Sequence, residues 1–158
     1  MQLAKQLTLH FLKLLLFWIL LFDFQRILFS IHNWDKFQDV SWAEWFLAFI
    51  YSIRLDVSTG GFLSVVPLLF IAIYLIKPSR VTRIIFIGII LIEAVICSLI
   101  HAGEINAYPE WNHKLTSRVF THLSNPDEVF RTADYSMTFL FIVYSLFEFV
   151  FAWRIMRV

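Results

Sequence analysis

Two glutamates, Glu93 and Glu148, each stand as the sole acid in an apolar stretch long enough to cross a bilayer. A carboxylate placed there is a functional candidate because hydrocarbon solvates its charged form so poorly. It can carry a proton or an ion, or it can rest protonated or hydrogen-bonded against a neighbouring helix. The second state is the expectation, with Tyr144 and Ser145, one turn from Glu148, as the partners. A separate candidate is the polar segment Gly103 to Asp134, GEINAYPEWNHKLTSRVFTHLSNPDEVFRTAD, with five acids and three bases. His101 and Glu104, and again Glu110 and His113, are three residues apart, which is half of a di-iron carboxylate site. The other half is missing and Tyr108-Pro109 interrupts the segment, so ordinary solvated side chains are expected rather than a metal centre.

Within that segment Lys114, Arg118 and His122 recur every four residues and share one helical face, beside an apolar stripe of Leu115, Val119 and Leu123. A helix of this kind lies on a surface, where its basic side suits a lipid phosphate or an acidic partner. Ser124-Asn125-Pro126-Asp127-Glu128 then reads as a new helix start, with a capping side chain, proline in the first turn and two acids behind it. No nucleophile arrangement accompanies these groups. The segment has the character of a receiving surface.

The elements that position these residues follow from composition. The chain has 158 residues, of which 59% are hydrophobic and 16% charged, and its mean hydropathy is +0.73. Charge that sparse, gathered between apolar runs, belongs to a membrane protein. The net charge of +1, with bases scattered among acids, gives no nucleic-acid stripe. The lone Cys97 excludes an internal disulfide and a cysteine metal site. Since a spanning helix needs about 20 apolar residues, four spans are expected at about 9–29, 57–76, 84–101 and 135–153. The first is a retained signal anchor in which Lys13 and Arg26 extend toward opposite faces and Asp23 pairs with Arg26 three residues on. The stretch 42–55, fronted by Trp34, Trp42 and Trp45, is too short between Glu44 and Arg54 to cross, and is expected as an interfacial helix ending at a flexible Ser58-Thr59-Gly60-Gly61 break. The fold class is therefore an all-α membrane protein with four transmembrane helices, an interfacial helix and a long helical extracytoplasmic loop at 103–134.

Basic residues set the orientation. With four crossings and an inner N-terminus, segments 1–13, 77–83 and 154–158 hold Lys5, Lys13, Lys77, Arg80, Arg83, Arg154 and Arg157 and no acid. The outer segments hold ten acids against six bases. The positive-inside rule then places both ends of this chain in the cytoplasm and 103–134 outside.

The stretches IRLDVSTGGFLSVVPLL, from Ile53, and EINAYPEWNHKLTSRVFTHLSNPDEVFRT, from Glu104, resemble the membrane domain of lipoteichoic-acid-synthase-like phosphoglycerol transferases, of the sulfatase and alkaline phosphatase superfamily. The likeness covers nearly the whole chain and rests on an Arg-x-Asp-x-Ser followed by a proline-bearing span, and on a Glu, Trp, Lys and Arg series ending in Asn-Pro-Asp-Glu. It implies a five-span anchor in the bacterial cytoplasmic membrane followed by an extracytoplasmic catalytic domain. There a metal-activated threonine takes a phosphoglycerol or similar head group from a lipid. This chain departs from that pattern by holding four spans and no such domain, so it is expected to be inactive by itself. The divalent metal that the resemblance implies belongs to the absent part, no cofactor is expected here, and the partners would be that domain and phosphatidylglycerol-type lipids. Arg54, Asp56, Trp111, Lys114, Arg118 and Arg131 are the candidates for contact with a lipid head group or the catalytic domain. Two other classes stay open: a small transporter or channel subunit using Glu93 and Glu148, and a membrane scaffold. A transporter built from inverted repeats would show paired broken spans, whereas Pro67 is the only proline inside a span.

Overall fold

The computed structural model of the chain describes residues 2–111 and 134–157, and every regular element among them is helical. These are α1 (Gln2–His32), one 3-10 turn (Trp34–Phe37), α2 (Trp42–Leu63), α3 (Val65–Ile76), α4 (Arg80–Trp111) and α5 (Tyr135–Met156). Four helices, namely α1, α2, α4 as far as Pro109, and α5, are long and apolar enough to cross a membrane, whereas α3 has only 12 residues.

The sequence-based division between 42–55 and 57–76 does not match these elements. α2 starts at a capping box, with the Glu44 N–H donating to Ser41 Oγ at 3.3 Å and the Ser41 N–H donating to Glu44 Oε2 at 3.0 Å. It then runs through Ser58, Thr59, Gly60 and Gly61 without a break. The interruption falls at Ser64 instead, and Pro67 supplies the cause. Proline has no N–H for the Leu63 carbonyl four residues back, and its ring crowds that carbonyl. The ladder is otherwise kept, since the Ser64 N–H reaches Gly60 O at 2.9 Å and the Leu68 N–H reaches Ser64 O at 3.0 Å. α2 and α3 thus form one interrupted leg. Gly60 serves packing, because a Cβ there would stand 2.9 Å from the Trp18 Cβ.

Cross-helix contacts give the direction of each leg. Trp18 meets Gly60 and Arg26 meets Asp56, so α1 and α2 are antiparallel. Gln25 meets Glu148 and His32 meets Tyr144, so α5 also runs against α1. Ala94 and Ala152 share the core while His101 meets Glu148, which sets α4 against α5. The result is an up-down-up-down arrangement in which residues 2, 77–80 and 156 lie toward one end and residues 34–42 and 111 toward the other.

Its apolar centre comes from α1, where Leu14, Phe17, Trp18 and Leu21 line one helical stripe and bury against Ile71, Ile90, Ala94 and Ala152. Ala94, Ser98 and Ala102, four residues apart on α4, are all buried. Small side chains at that spacing let α5 approach closely, the usual device where hydrocarbon outside removes the hydrophobic drive between helices.

Candidate functional site

The stripe on α1 turns polar at Gln25, and the bundle answers it there. Glu148 is fully buried (0% exposed) and both of its oxygens are engaged. The Gln25 side-chain amide donates to Oε2 at 2.7 Å, and His101 Nδ1 lies 2.6 Å from Oε1. A single proton lies between that nitrogen and oxygen, on imidazole facing carboxylate or on carboxylic acid facing imidazole. Three helices therefore meet in one hydrogen-bonded group. The expected neighbours of Glu148 are placed elsewhere. Tyr144 OH meets His32 Nδ1 at 3.0 Å, two turns further along α1, and the Ser145 hydroxyl is buried without a hydrogen-bond partner among the described residues. Phe29 lies between these levels, its ring 4.8 Å from that of Tyr108 and 6.4 Å from that of His101.

A second polar group joins α1 to α2. Arg26 donates to Asp23 Oδ1 at 2.7 Å, as the three-residue spacing predicts, and it also pairs with Asp56 Oδ1. Asp56 is 3% exposed, and its Oδ2 is buried with no hydrogen-bond partner among the described residues. This separates Arg54 from Asp56, which the sequence reading placed together against a lipid head group. Two residues apart on a helix is about 200° of rotation, so Asp56 faces α1 and Arg54 is exposed on the other side.

Glu93 is half-buried in α4, two turns before His101, with Oε2 buried and lacking a hydrogen-bond partner among the described residues. At 1.5 Å per residue it stands about 12 Å along the helix from His101, and so at a different depth from Glu148. The metal reading of His101 with Glu104 gives way to the His101–Glu148 contact. Among the described residues no group of three or more His, Cys, Asp or Glu side chains gathers as metal ligands. α4 carries on through Tyr108 and Pro109 to Trp111, which shortens the loop that was expected from Gly103. Lys114, Arg118 and Arg131, with the amphipathic stretch around them, lie outside the described residues, as does the Trp111 side chain. Asp134 caps α5, its carboxylate accepting from the Tyr135 N–H at 2.6 Å.

The basic groups assigned to one inner face share an end of the bundle but not a level. Arg83 is about 27 Å of helix from His101, and Arg154 only about 9 Å from Glu148. Arg157 lies over the Trp153 ring, 4.5 Å from its centroid. In the sequence Gln25 was not singled out and His101 was taken as a metal candidate. The usable signal was that each lies at the edge of an apolar run, Gln25 between Asp23 and Arg26 and His101 just after Ile100.

Chemically, the Gln25–Glu148–His101 group holds a proton in a fixed frame, and the Asp23–Arg26–Asp56 group neutralises a buried carboxylate. Both cross-link helices, and among the described residues no hydroxyl, thiol or lysine side chain is hydrogen-bonded to Glu148 or Asp56. No family model matches the chain, and no curated protein or solved structure matches it either.

Proposed function

We propose that this chain is the membrane-anchoring, lipid-presenting domain of a lipoteichoic-acid-synthase-like transferase of lipid head groups. The observation that carries the proposal is the division of labour within Arg54-Leu55-Asp56-Val57-Ser58, the residues on which the resemblance rests. Asp56 is committed to the bundle through Arg26, while Arg54 stays exposed. A motif with one half built into the fold and the other half free suits a scaffold that offers a surface to lipid. In this reading the bundle sits in the bacterial cytoplasmic membrane with both ends of the chain inside and 103–134 outside. The threonine nucleophile and its divalent metal belong to an extracytoplasmic domain following this segment. The transporter alternative asks Glu148 to exchange its proton or ion during turnover. Its two oxygens are instead held by two different helices, which favours a fixed cross-link.

Reporter tags at Ser79, Asn112 and Val158 test the arrangement. Tags at 79 and 158 should report the cytoplasm and the tag at 112 the exterior; a tag at 158 found outside would remove the proposal. The catalytic half is tested by the reading frame after Val158. It should encode a further apolar span and a soluble domain with a threonine nucleophile, and a stop codon there leaves only the scaffold.

A further inference from the structure

The outward side of α2 carries a guanidinium for which the described residues supply no ionic partner. None of the ion pairs among them involves Arg54. The direction of its side chain is set from behind. Because Asp56 is pinned inward by Arg26, α2 cannot turn about its axis without stranding the buried Asp56 carboxylate from its partly buried partner, and Arg54 is held on the exposed side. Tyr51, three residues before, and Ser58, four residues after, occupy the same face. Both are exposed, Tyr51 at 76%. Around them Ile50, Leu55 and Phe62 present apolar surface, on a helix long and apolar enough to cross a membrane and with only 11% of its apolar window buried. Between Ile50 and Ser58 the only acid is Asp56, and it is already used.

A guanidinium on such a face draws an anion, because hydrocarbon solvates the bare charge poorly and five fixed N–H donors match the oxygens of a phosphate. The anion that every phospholipid bilayer supplies is the phosphodiester of its own head groups. We propose that Arg54, with the hydroxyls of Tyr51 and Ser58 beside it, forms a surface site for the phosphodiester of a membrane glycerophospholipid. The long side chain extends from the α2 surface toward the head-group layer, and the two hydroxyls donate to remaining phosphate oxygens. The site deepens the reading of the chain as a lipid-presenting anchor and rests on it, and it names the ligand class as phosphodiester lipid. It selects on the phosphate and leaves the rest of the head group free to vary.

The test uses the whole chain, purified and exchanged into nanodiscs of three compositions: phosphatidylglycerol, phosphatidylcholine, and a monoglycosyl diacylglycerol that lacks phosphate. Lipid retained after release is counted by native mass spectrometry. Wild type should retain both phospholipids over the glycolipid, and Arg54→Gln should reduce phospholipid retention about tenfold, the scale of one lost charge-assisted contact. Glycolipid retention should not change. Arg54→Lys should fall between the two, and Tyr51→Phe with Ser58→Ala should cost about two- to threefold. Equal retention by Arg54→Gln and wild type would overturn the site, as would glycolipid held as well as phospholipid, or lipid stripped by excess inorganic phosphate. Helix content and elution volume check the fold of Arg54→Gln, and Arg54→Met serves in its place if it misfolds. Phospholipid held through Arg54 in a chain whose full-length form transfers no head group would leave the site standing and remove the transferase reading. Transfer that ignores Arg54 would do the reverse.

Discussion

His101 of α4 and Glu148 of α5, 47 residues apart in the chain, meet at 2.6 Å between Nδ1 and Oε1. With the Gln25 amide on the other oxygen, this contact joins three of the four legs of the bundle at one point. Its worth depends on leaving no polar atom alone, since a buried donor without an acceptor costs more than a formed bond gains.

Glu148→Gln is therefore expected to be nearly silent. The new amide oxygen accepts from Gln25 and the new amide N–H donates to His101 in its other tautomer, so every group stays paired. Glu148→Ala strands both Gln25 and His101 and opens a void, and should destabilise by about 3 kcal/mol. Thermal unfolding in a mild detergent measures both. A large loss in Glu148→Gln would mean that the charge itself, rather than the hydrogen bonding, holds the helices.

Arg26 serves two acids of unequal burial, and the consequences should be unequal. Asp23 and Arg26 are both partly open to solvent, with side-chain exposures of 31% and 25%. Screening there limits Asp23→Asn to about 0.5 kcal/mol. Arg26→Leu leaves Asp56 buried without its partner and should cost about 3 kcal/mol, while Arg26→Leu with Asp56→Leu together should recover most of that loss. A double-mutant cycle on unfolding midpoints reads the coupling. Additive losses would show that the pair is not a unit.

Gly60 and Gly61 are neighbours in sequence with opposite prospects. A Cβ on Gly60 would come within 2.9 Å of the Trp18 Cβ, which cannot swing away as a side-chain end could. On Gly61, and likewise on Gly88, it would meet nothing within 4 Å among the described residues. Gly60→Ala should cost about 1–3 kcal/mol through overpacking between α1 and α2. Gly61→Ala should gain up to about 1 kcal/mol from helix propensity. Matched melts of the two variants settle the comparison, and a neutral Gly60→Ala would show that α1 and α2 are not closely apposed there.

Tyr144 and His32 make one half-buried contact between α5 and α1 at 3.0 Å. Tyr144→Phe keeps the ring, which lies 5.4 Å from the imidazole, and removes only the hydroxyl. The expected loss is about 0.6 kcal/mol, the average for interhelical hydrogen bonds in membrane proteins. A loss several times larger, seen in the same unfolding assay, would give this contact a weight equal to the Glu148 group.

Sparse charge and long apolar runs determined, from the chain alone, that this is a helical protein, and three of the expected spans, 9–29, 84–101 and 135–153, fall within helices able to cross a bilayer; the fourth such helix is Trp42–Leu63 rather than the expected 57–76. Helix periodicity likewise settled that Asp23 would meet Arg26, because both effects act within a few residues. What a lone polar residue would touch was decided only by the tertiary structure. Glu148 found Gln25 and His101 rather than its neighbours Tyr144 and Ser145, since partners on other helices depend on rotation and register that no local spacing encodes. The placement of the break in the α2–α3 leg shows the same division: Gly60-Gly61 looked like a hinge but stays helical, with Gly60 proving to be the contact for Trp18. Pro67 moved the interruption to Ser64 by withholding one hydrogen-bond donor. Arg54 and Asp56 parted for a comparable reason. Two positions on a helix point to opposite sides, and only the arrival of Arg26 from α1 chose which side would be buried.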